Sequence, residues 1–579
     1  MAVLAEMQKK IWNMRPASAE TEELARALKV SPITAQVLIN RQITDVKQAR
    51  AFLAPKLTEL IEPDKMPGVG PAVERIKRAL ADKERIAIYG DYDVDGITGV
   101  AILWHLLTIL GGQVEYYIPH RIDEGYGLNA GAIRQLAEAG VNLLITVDCG
   151  ITAVGEAALV QELGMELVIT DHHQAGPELP QATAIVHPGL ESYANPDSSG
   201  ATVAMKLAWA LVNEFKTNGQ TRADLREFLL NATTLAAMGT IADVVDLRGE
   251  NRILANYGLK ALNQSKLVGI CALIRSAELD ARSIDSYDIA FRLAPMLNAA
   301  GRMGHARLAV ELLTSESEMR CYQIAEYLKD QNNRRRQCQR KIFKQVRQMI
   351  STAGLNHPDR KTIILADDSW HTGVVGIVAS RVVDEFFRPT ILINNSEDIA
   401  QGSARSVEGF NIHAALSACS EHLVSFGGHA MAAGLKIHKD NIEAFSNDIE
   451  EYARQNIKEE CLESKLNIDA ICSIRDLNIN VVNELLRLEP FGQGNSAPVF
   501  ASEGVRLISP PRRVGARGDH LQIAITDNTA SVRCIGFRMG PLEKKVLEAE
   551  TFNVAYEAQI DTYNGGGSVQ FVLEDIQFE

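Results

Sequence analysis

Ile86-Ala87-Ile88-Tyr89-Gly90-Asp91-Tyr92-Asp93-Val94-Asp95-Gly96 joins an apolar run of strand length to a turn that carries three carboxylates at alternate positions. Gly96 then opens an apolar helical pattern from Ile97 to Leu110. The order strand, acidic turn, helix puts Asp91, Asp93 and Asp95 at the carboxyl end of a buried strand. Anions this close repel one another unless cations hold them. One Asp there would read as a helix cap; three favour a metal site.

The alternation continues outward from this point. Apolar strand patterns at 86–89, 114–118, 143–147 and 167–170 are separated by helical patterns such as 130–139 and 153–163. That is the signature of an α/β fold, a parallel sheet flanked by helices. Residues 1–75 read as an N-terminal helical segment, and 76–314 as the domain that owns the acidic turn. From Ser315 to about Ile350 a polar helical stretch without Gly or Pro exceeds an ordinary globular helix, so 315–355 reads as a helix connecting two lobes. A second α/β domain, 356–460, starts at Thr362-Ile363-Ile364-Leu365-Ala366. Residues 461–579 hold five strand patterns, at 499–507, 521–526, 531–537, 553–561 and 568–578, with Asn564-Gly565-Gly566-Gly567 as a turn between the last two. Such a set fits a small β-barrel of the oligonucleotide-binding (OB) type.

Hydrophobic content of 46% and charged content of 23% suit a globular protein. Met1–Trp12 lacks the pattern of a signal peptide, and no apolar stretch is long enough to span a bilayer. The 8 scattered cysteines, with no C-x-x-C pair, suggest neither a zinc ribbon nor a disulfide framework, so a reducing cytoplasm is the expected location. A net charge of −14 argues mildly against polyanionic partners, so any nucleic-acid surface must be locally positive.

Further acidic and imidazole groups end other strands. Asp148 follows 143–147, Asp171-His172-His173 follows 167–170, and Asp243 lies in Gly239-Thr240-Ile241-Ala242-Asp243-Val244-Val245. Ligands of open α/β sheets gather beyond the carboxyl ends of the strands. One parallel sheet would therefore bring these groups to a shared edge, with Asp243 joining if its loop folds back. Each has a plainer reading alone: a helix cap for Asp148, a hydrogen-bonded loop pair for the histidines, a strand end for Asp243. Together they form a carboxylate and imidazole set without thiolates, which suits Mn²⁺ or Mg²⁺. A carboxylate shared by two ions would give a centre able to cleave phosphoesters.

These motifs resemble the DHH phosphoesterase superfamily and, within it, the RecJ family of bacterial single-strand-specific 5′ exonucleases. Asp91-Tyr92-Asp93-Val94-Asp95-Gly96, Asp148-Cys149-Gly150, Asp171-His172-His173 and Gly239–Val245 carry the likeness, with Arg292-Leu293-Ala294-Pro295-Met296-Leu297-Asn298-Ala299-Ala300-Gly301-Arg302-Met303. Gly373–Arg381, Gly402-Ser403-Ala404-Arg405-Ser406 and Phe426-Gly427-Gly428-His429-Ala430 are similar to the DHH-associated domain of the same enzymes. One departure is Tyr89, where many superfamily members carry a histidine; Asp91 would then serve as a direct ligand or support one. The resemblance implies that Asp91 and Asp93 hold one ion, that Asp95, His172 and Asp243 hold a second, and that Asp148 bridges. It implies catalytic contacts from His173, Asn298 and Arg302, and substrate contacts from Arg381, Ser403, Arg405, Gly427, Gly428 and His429. It implies two-metal hydrolysis of single-stranded DNA from the 5′ end, releasing 5′ mononucleotides, in recombination and repair. Single-strand-binding protein and repair helicases would be partners of a monomeric enzyme.

A track for the polyanion is also expected. The connecting helix carries Arg334, Arg335, Arg336, Arg340, Lys341, Lys344 and Arg347, which read either as a solvated face or as a backbone contact. In the barrel Arg506, Arg512, Arg513, Arg517, Arg533 and Arg538 outnumber the acidic residues of 501–540. Arg512 and Arg533 are its candidate substrate contacts, and Phe537, Tyr556 and Tyr563 its candidate base stackers, unless they are core. The barrel and the Arg292–Met303 segment argue against a competing small-substrate phosphoesterase, and the complete ligand set against a non-catalytic scaffold; a pure single-strand binder using the barrel predicts binding that survives chelation and no product.

Overall fold

The computed structural model describes residues 10–120, 124–302, 305–561 and 567–578. Strand β1 (Ile11–Met14) is followed by three short helices, α1 (Thr21–Leu28), α2 (Pro32–Asn40) and α3 (Val46–Leu53). Ser31 and Asp45 cap α2 and α3 by accepting from Thr34 N and Gln48 N.

The first lobe is a parallel sheet of β2 (Arg85–Gly90), β3 (Gln113–Tyr117), β4 (Leu143–Val147), β5 (Glu166–Thr170) and β6 (Ala184–Val186), in the order β3-β2-β4-β5-β6. β4 is buried along its whole length, as a central strand covered on both faces must be. Helix α4 (Val94–Ile109) runs from the acidic turn and is nearly all apolar because neighbours surround it. Two of those neighbours are α5 (Gly200–Glu214) and α6 (Ala223–Ala242), which pack against α4.

A helical stretch then runs from Ser286–Asp288 through a π-helical turn, Ile289–Leu293, into α7 (Ala294–Arg302). The expected connecting helix is α8 (Glu318–Thr352), 35 residues long. It is not a free spacer. Cys321, Ile324, Ala325 and Leu328 belong to the core of the first lobe, and Ile342, Phe343, Val346 and Ile350 to a core of the second.

The second lobe pairs β7 (Ile363–Ala366) parallel to β8 (Thr390–Asn394), and continues antiparallel through β9 (Ile399–Arg405), β11 (Ala432–His438) and β10 (Leu423–Gly428). Helix α9 (Thr372–Phe386) packs on β8 and β9. In the third lobe β12 (Lys465–Ile468) pairs with β1. The barrel has strands β13 (Ala470–Ile471), β14 (Phe500–Leu507), β15 (Arg512–Val514), β16 (His520–Thr526), β17 (Ser531–Gly536), β18 (Phe552–Ile560) and β19 (Val569–Phe578). Pairing of Arg506 with Thr526 and Leu507 with Ile525 links β14 to β16 and closes the ring. Two short strands, β13 and β15, add to the five sequence patterns. The Asn564-Gly565-Gly566 part of the expected turn lies outside the described residues.

The N-terminal helices share one core with the barrel: Leu24, Val37, Leu38 and Phe52 cluster with Phe500, Ile523 and Phe552. This joining of chain ends was not visible in sequence, because nothing in α1–α3 marks its partner. Tyr556, a candidate base stacker, is wholly buried, with its ring 3.7 Å from that of Phe571 and its hydroxyl on Ser502. Its alternation on β18 points inward, so it is core. Phe537 is exposed beside His520, and Tyr563 lies outside the described residues.

Candidate metal centre

The residue Asp91 follows β2, Asp148 follows β4 and Asp171–His173 follow β5, so parallel pairing alone aligns three ligand sources on one edge. Asp93 caps α4, accepting from Asp95 N and Gly96 N at 2.9 and 3.2 Å. Asp95, the second residue of α4, accepts from Gly200 N and Ala201 N at 2.5 and 3.0 Å. The positive end of α5 therefore holds that buried carboxylate. Asp243 arrives at the C-terminus of α6. The next residue, Val244, has φ +61°, a left-handed conformation unfavourable to a β-branched residue. Asp148 itself has φ +62°.

Three groups of ligand atoms each lie within 4.8 Å of one another: Asp91, Asp93 and Asp148; Asp95, His172 and Asp243; and Asp148, His172 and His173. His172 Nε2 is 3.1 Å from Asp148 Oδ1, 3.6 Å from Asp243 Oδ2 and 3.8 Å from Asp95 Oδ2. Both His172 Nε2 and Asp148 Oδ1 are buried without a hydrogen-bond partner among the described residues. Buried polar atoms normally have partners, so such a pair is the mark of a binding site.

Electrostatics agree. Burial, and then the charge of Asp93, raise Asp95 to about 7. Burial and the charges of Asp95 and Asp93 raise Asp243 to about 8, and the same causes with Asp91 raise Asp148 well above the carboxylate range. At an effective dielectric of about 20, like charges 4 Å apart cost about 4 kcal/mol per pair, so this cluster cannot be fully ionised without cations. Burial, and then the charge of His173, lower His172 to about 4, leaving a neutral imidazole fit to ligate. Burial disfavours charge on His173, but the hydrogen bond to Asp171 at 2.8 Å and its charge raise it to about 9. These donors are oxygens with one or two imidazoles and no thiolate, which fits Mn²⁺ or Mg²⁺.

Several supporting roles escaped the sequence reading, even where the residue, such as Asp171 or Gly239, stood in a quoted motif. Asp171 Oδ1 accepts from His172 N and His173 N at 2.7 and 3.1 Å, and Oδ2 from Ile151 N at 2.9 Å, so it shapes the turn. The Tyr126 hydroxyl lies 3.3 Å from Asp148 O and 3.2 Å from the His173 ring. Gly200 and Gly239 make room: a Cβ would lie 2.7 Å from Asp148 Cβ at the first and 2.4 Å from Asp95 Oδ1 at the second. For Gly239 a glycine inside a helix was the available signal, since it costs helix stability unless close approach requires it. Gly239→Ala is expected to weaken ion binding by about 10–100-fold, as loss of ligand support does. Calorimetric titration with Mn²⁺ checks this, and an unchanged affinity would remove Gly239 from the site.

The other candidate residues fall in three places. Asn298 Oδ1 accepts from Val94 N at 3.1 Å, beside the acidic turn, and Arg302 Nη1 donates to Gly373 O of the second lobe at 3.1 Å. Met303 of the same motif lies outside the described residues. On β9, Ser403 and Arg405 share a face, and Arg405 Nε donates to Ser380 Oγ at 3.1 Å. Arg381 lies over the Phe343 ring at 3.9 Å. Gly427, Gly428 and His429 end β10 at an exposed turn, where Gly428 has φ +134° and His429 N donates to Ala432 O. In the barrel Arg512 is exposed on β15, while Arg533 is 2.8 Å from the buried Asp561 carboxylate, so its charge is already engaged.

A parallel-sheet lobe with this carboxylate and histidine cluster, joined to a second α/β lobe, defines a metal-dependent phosphoesterase of the DHH class. Family models agree: "DHH family, N-terminal domain" matches residues 85–240, "DHHA1 domain" 359–455 and "RecJ OB domain" 468–575. The chain is 37% identical to the single-stranded-DNA-specific exonuclease RecJ of Bacillus subtilis, over 97% of this chain and 70% of that one. It is 32% identical to the Haemophilus influenzae RecJ, over 90% of this chain and 92% of that one. The crystal structure of Thermus thermophilus RecJ in complex with Mn²⁺ superposes with a TM-score of 0.83 at 30% identity, covering 98% of this chain and 79% of that one. A Mg²⁺ complex of the same protein is similar. The chain belongs to the RecJ family. Among the described residues no helix is long and apolar enough to cross a membrane.

Proposed function

We propose that this protein is a single-stranded-DNA-specific exonuclease that removes 5′ mononucleotides by hydrolysis, in recombination and repair. The observation that carries the reading is the unpartnered pair Asp148 Oδ1 and His172 Nε2, set among carboxylates that cannot all ionise alone. Asp91 and Asp93 would hold one divalent ion, Asp95, His172 and Asp243 the other, with Asp148 between them. Such ions, when bound, activate the attacking water and polarise the scissile phosphate.

The chain's own groups do the rest. His173, oriented by its hydrogen bond to Asp171, faces the phosphate as a donor. Asn298 is fixed on the Val94 amide and positions substrate beside the acidic turn. Arg302 and Arg405 neutralise phosphates, and the open Gly427 permits backbone approach at the second lobe. The barrel extends the contact with Arg512 and the exposed Phe537. We take the enzyme to act as a cytoplasmic monomer beside single-strand-binding protein and repair helicases.

A gel assay with 5′- and 3′-labelled strands, with and without Mn²⁺, tests direction, product and ion need together. Release of label as mononucleotide only from the 5′ end is expected; a ladder beginning at the 3′ end would overturn the polarity. Affinity should also fall about 50-fold between 50 and 200 mM salt if about four phosphates are held. Removing the barrel alone is a poor probe, because α1–α3 would lose their core. Deleting 10–56 together with 464–579 should raise KM for long strands far more than it lowers kcat; an unchanged KM would take the barrel out of the substrate path.

A further inference from the structure

Tyr287 and Phe291 form an exposed aromatic pair, 60% and 58% accessible, with ring centres 4.6 Å apart. Large apolar rings left in water at adjoining positions ordinarily mark a contact surface. They stand on the continuous helical stretch from Ser286 to Arg302, which includes a π-helical turn, a feature found often at functional sites.

Their position on that stretch is informative. Residues 287, 291, 295, 298 and 302 follow helical spacing along one face. Each is exposed or half-exposed, whereas Asp288, Ile289, Leu293, Ala294, Met296 and Leu297 between them are buried. At the C-terminal end this face carries Asn298, bonded to Val94 N of the acidic turn, and Arg302, bonded to Gly373 O of the second lobe. At the N-terminal end Ser286 Oγ donates to Phe491 O of the third lobe at 2.6 Å. The face therefore runs from the metal centre toward the barrel lobe. At 1.5 Å per residue, Phe291 lies about 10 Å and Tyr287 about 16 Å along the axis from Asn298.

Guanidinium groups flank the rings. Arg282 and Arg292 share the carboxylate of buried Asp288, with Asp285 beside it, and Arg336 of α8 donates to Phe291 O at 3.3 Å. Aromatic faces set among guanidinium groups are the combination that holds single strands, by base stacking with phosphate neutralisation.

We propose that Tyr287 and Phe291 are a stacking platform for bases of the single strand a few nucleotides inward from the end held at the metal centre. This rests on the exonuclease reading above. The platform would grip the strand irrespective of base identity, since every base offers a π face. It would also disfavour a duplex, whose bases are paired and stacked already.

The test uses the full-length protein with Tyr287→Ala/Phe291→Ala, and Tyr287→Phe/Phe291→Tyr as the conservative partner. With strands of about twenty nucleotides the alanine variant should show KM raised roughly tenfold or more, at little cost in kcat. The penalty should shrink as the strand is shortened below the platform's reach, and the conservative variant should behave as wild type. In EDTA, 2-aminopurine placed two to five bases from the 5′ end should be quenched by wild type and not by the alanine variant. An unchanged KM and quench, or a penalty equal at every length, would overturn the platform. So would a variant that handles DNA normally but loses a protein partner. If wild type shortens no strand at all, the exonuclease reading fails; if wild type works and the variant matches it, only the platform fails.

Discussion

Asp148→Asn is expected to lower kcat on single-stranded DNA by at least about 10⁴-fold, the scale of losing one member of a catalytic unit, while binding of the strand persists. Asp148 is shared by two of the three ligand groups, so its loss uncouples them. The amide keeps the size of the side chain and removes its charge. Burial and the charges of Asp95, Asp93, Asp91 and Asp243 oblige the metal-free carboxyl to take up a proton at neutral pH, a cost the amide does not carry. The metal-free variant should therefore melt higher than the metal-free wild type, by several degrees, even though it is inactive. A merely structural lesion would lower both activity and melting temperature. Turnover near the wild-type value would refute the bridging role.

Chelation is expected to destabilise the protein increasingly as pH rises. Burial and mutual repulsion raise Asp95 to about 7 and Asp243 to about 8 in the fold, from near 3.8 when unfolded, and Asp148 is raised well above 3.8 as well. A folded pKa above the unfolded one means that the fold holds protons the unfolded chain has released. The stability this gives is complete below about pH 4 and disappears as pH climbs through about 7 to 8. Asp171, held low by its bond with His173 despite burial, acts in the opposite sense and only at acid pH. Bound divalent ions reverse the trend, because they favour the ionised ligands. At about a thousandfold excess over the dissociation constant an ion adds about 4 kcal/mol, on the order of 10 °C in a domain of this size. Thermal melts from pH 5 to 9, with EDTA and with Mn²⁺, should diverge toward high pH. Parallel curves would mean that the cluster is not the ion site.

The first lobe could be foreseen because its pattern is local. An apolar strand run, an acidic turn and an apolar helix are adjacent in the chain, and parallel pairing carries one turn to the next. Asp91, Asp93, Asp95, Asp148 and His172 needed only that inference to be placed together. Asp243 needed more, since α6 must pack along α4 before its C-terminus reaches the sheet edge. Sequence alone left Asp243 conditional on its loop folding back, and the resemblance then gave it the role of a ligand. The roles of Gly200 and Gly239 depend on distances of closest approach, which no spacing rule encodes.

Other features are long-range throughout. Tyr556 has the alternation of a barrel residue, yet its side of the strand is fixed by the way β18 lies between β14 and β19. Arg533 has the charge of a phosphate contact, but Asp561 takes it up across 28 positions of the chain. Helix α8 is polar in composition, and its two ends are nonetheless buried in different cores.

Short-range chemistry thus fixed the α/β class, the acidic sheet edge and the closing barrel strands, because hydrophobic period and turn residues act on neighbours a few positions apart. The union of α1–α3 with the barrel, the seat of Asp95 on the α5 N-terminus and the aromatic face leading from Asn298 were settled by packing. Those contacts join segments whose own patterns are satisfied by many partners, and only burial of a shared core selects one.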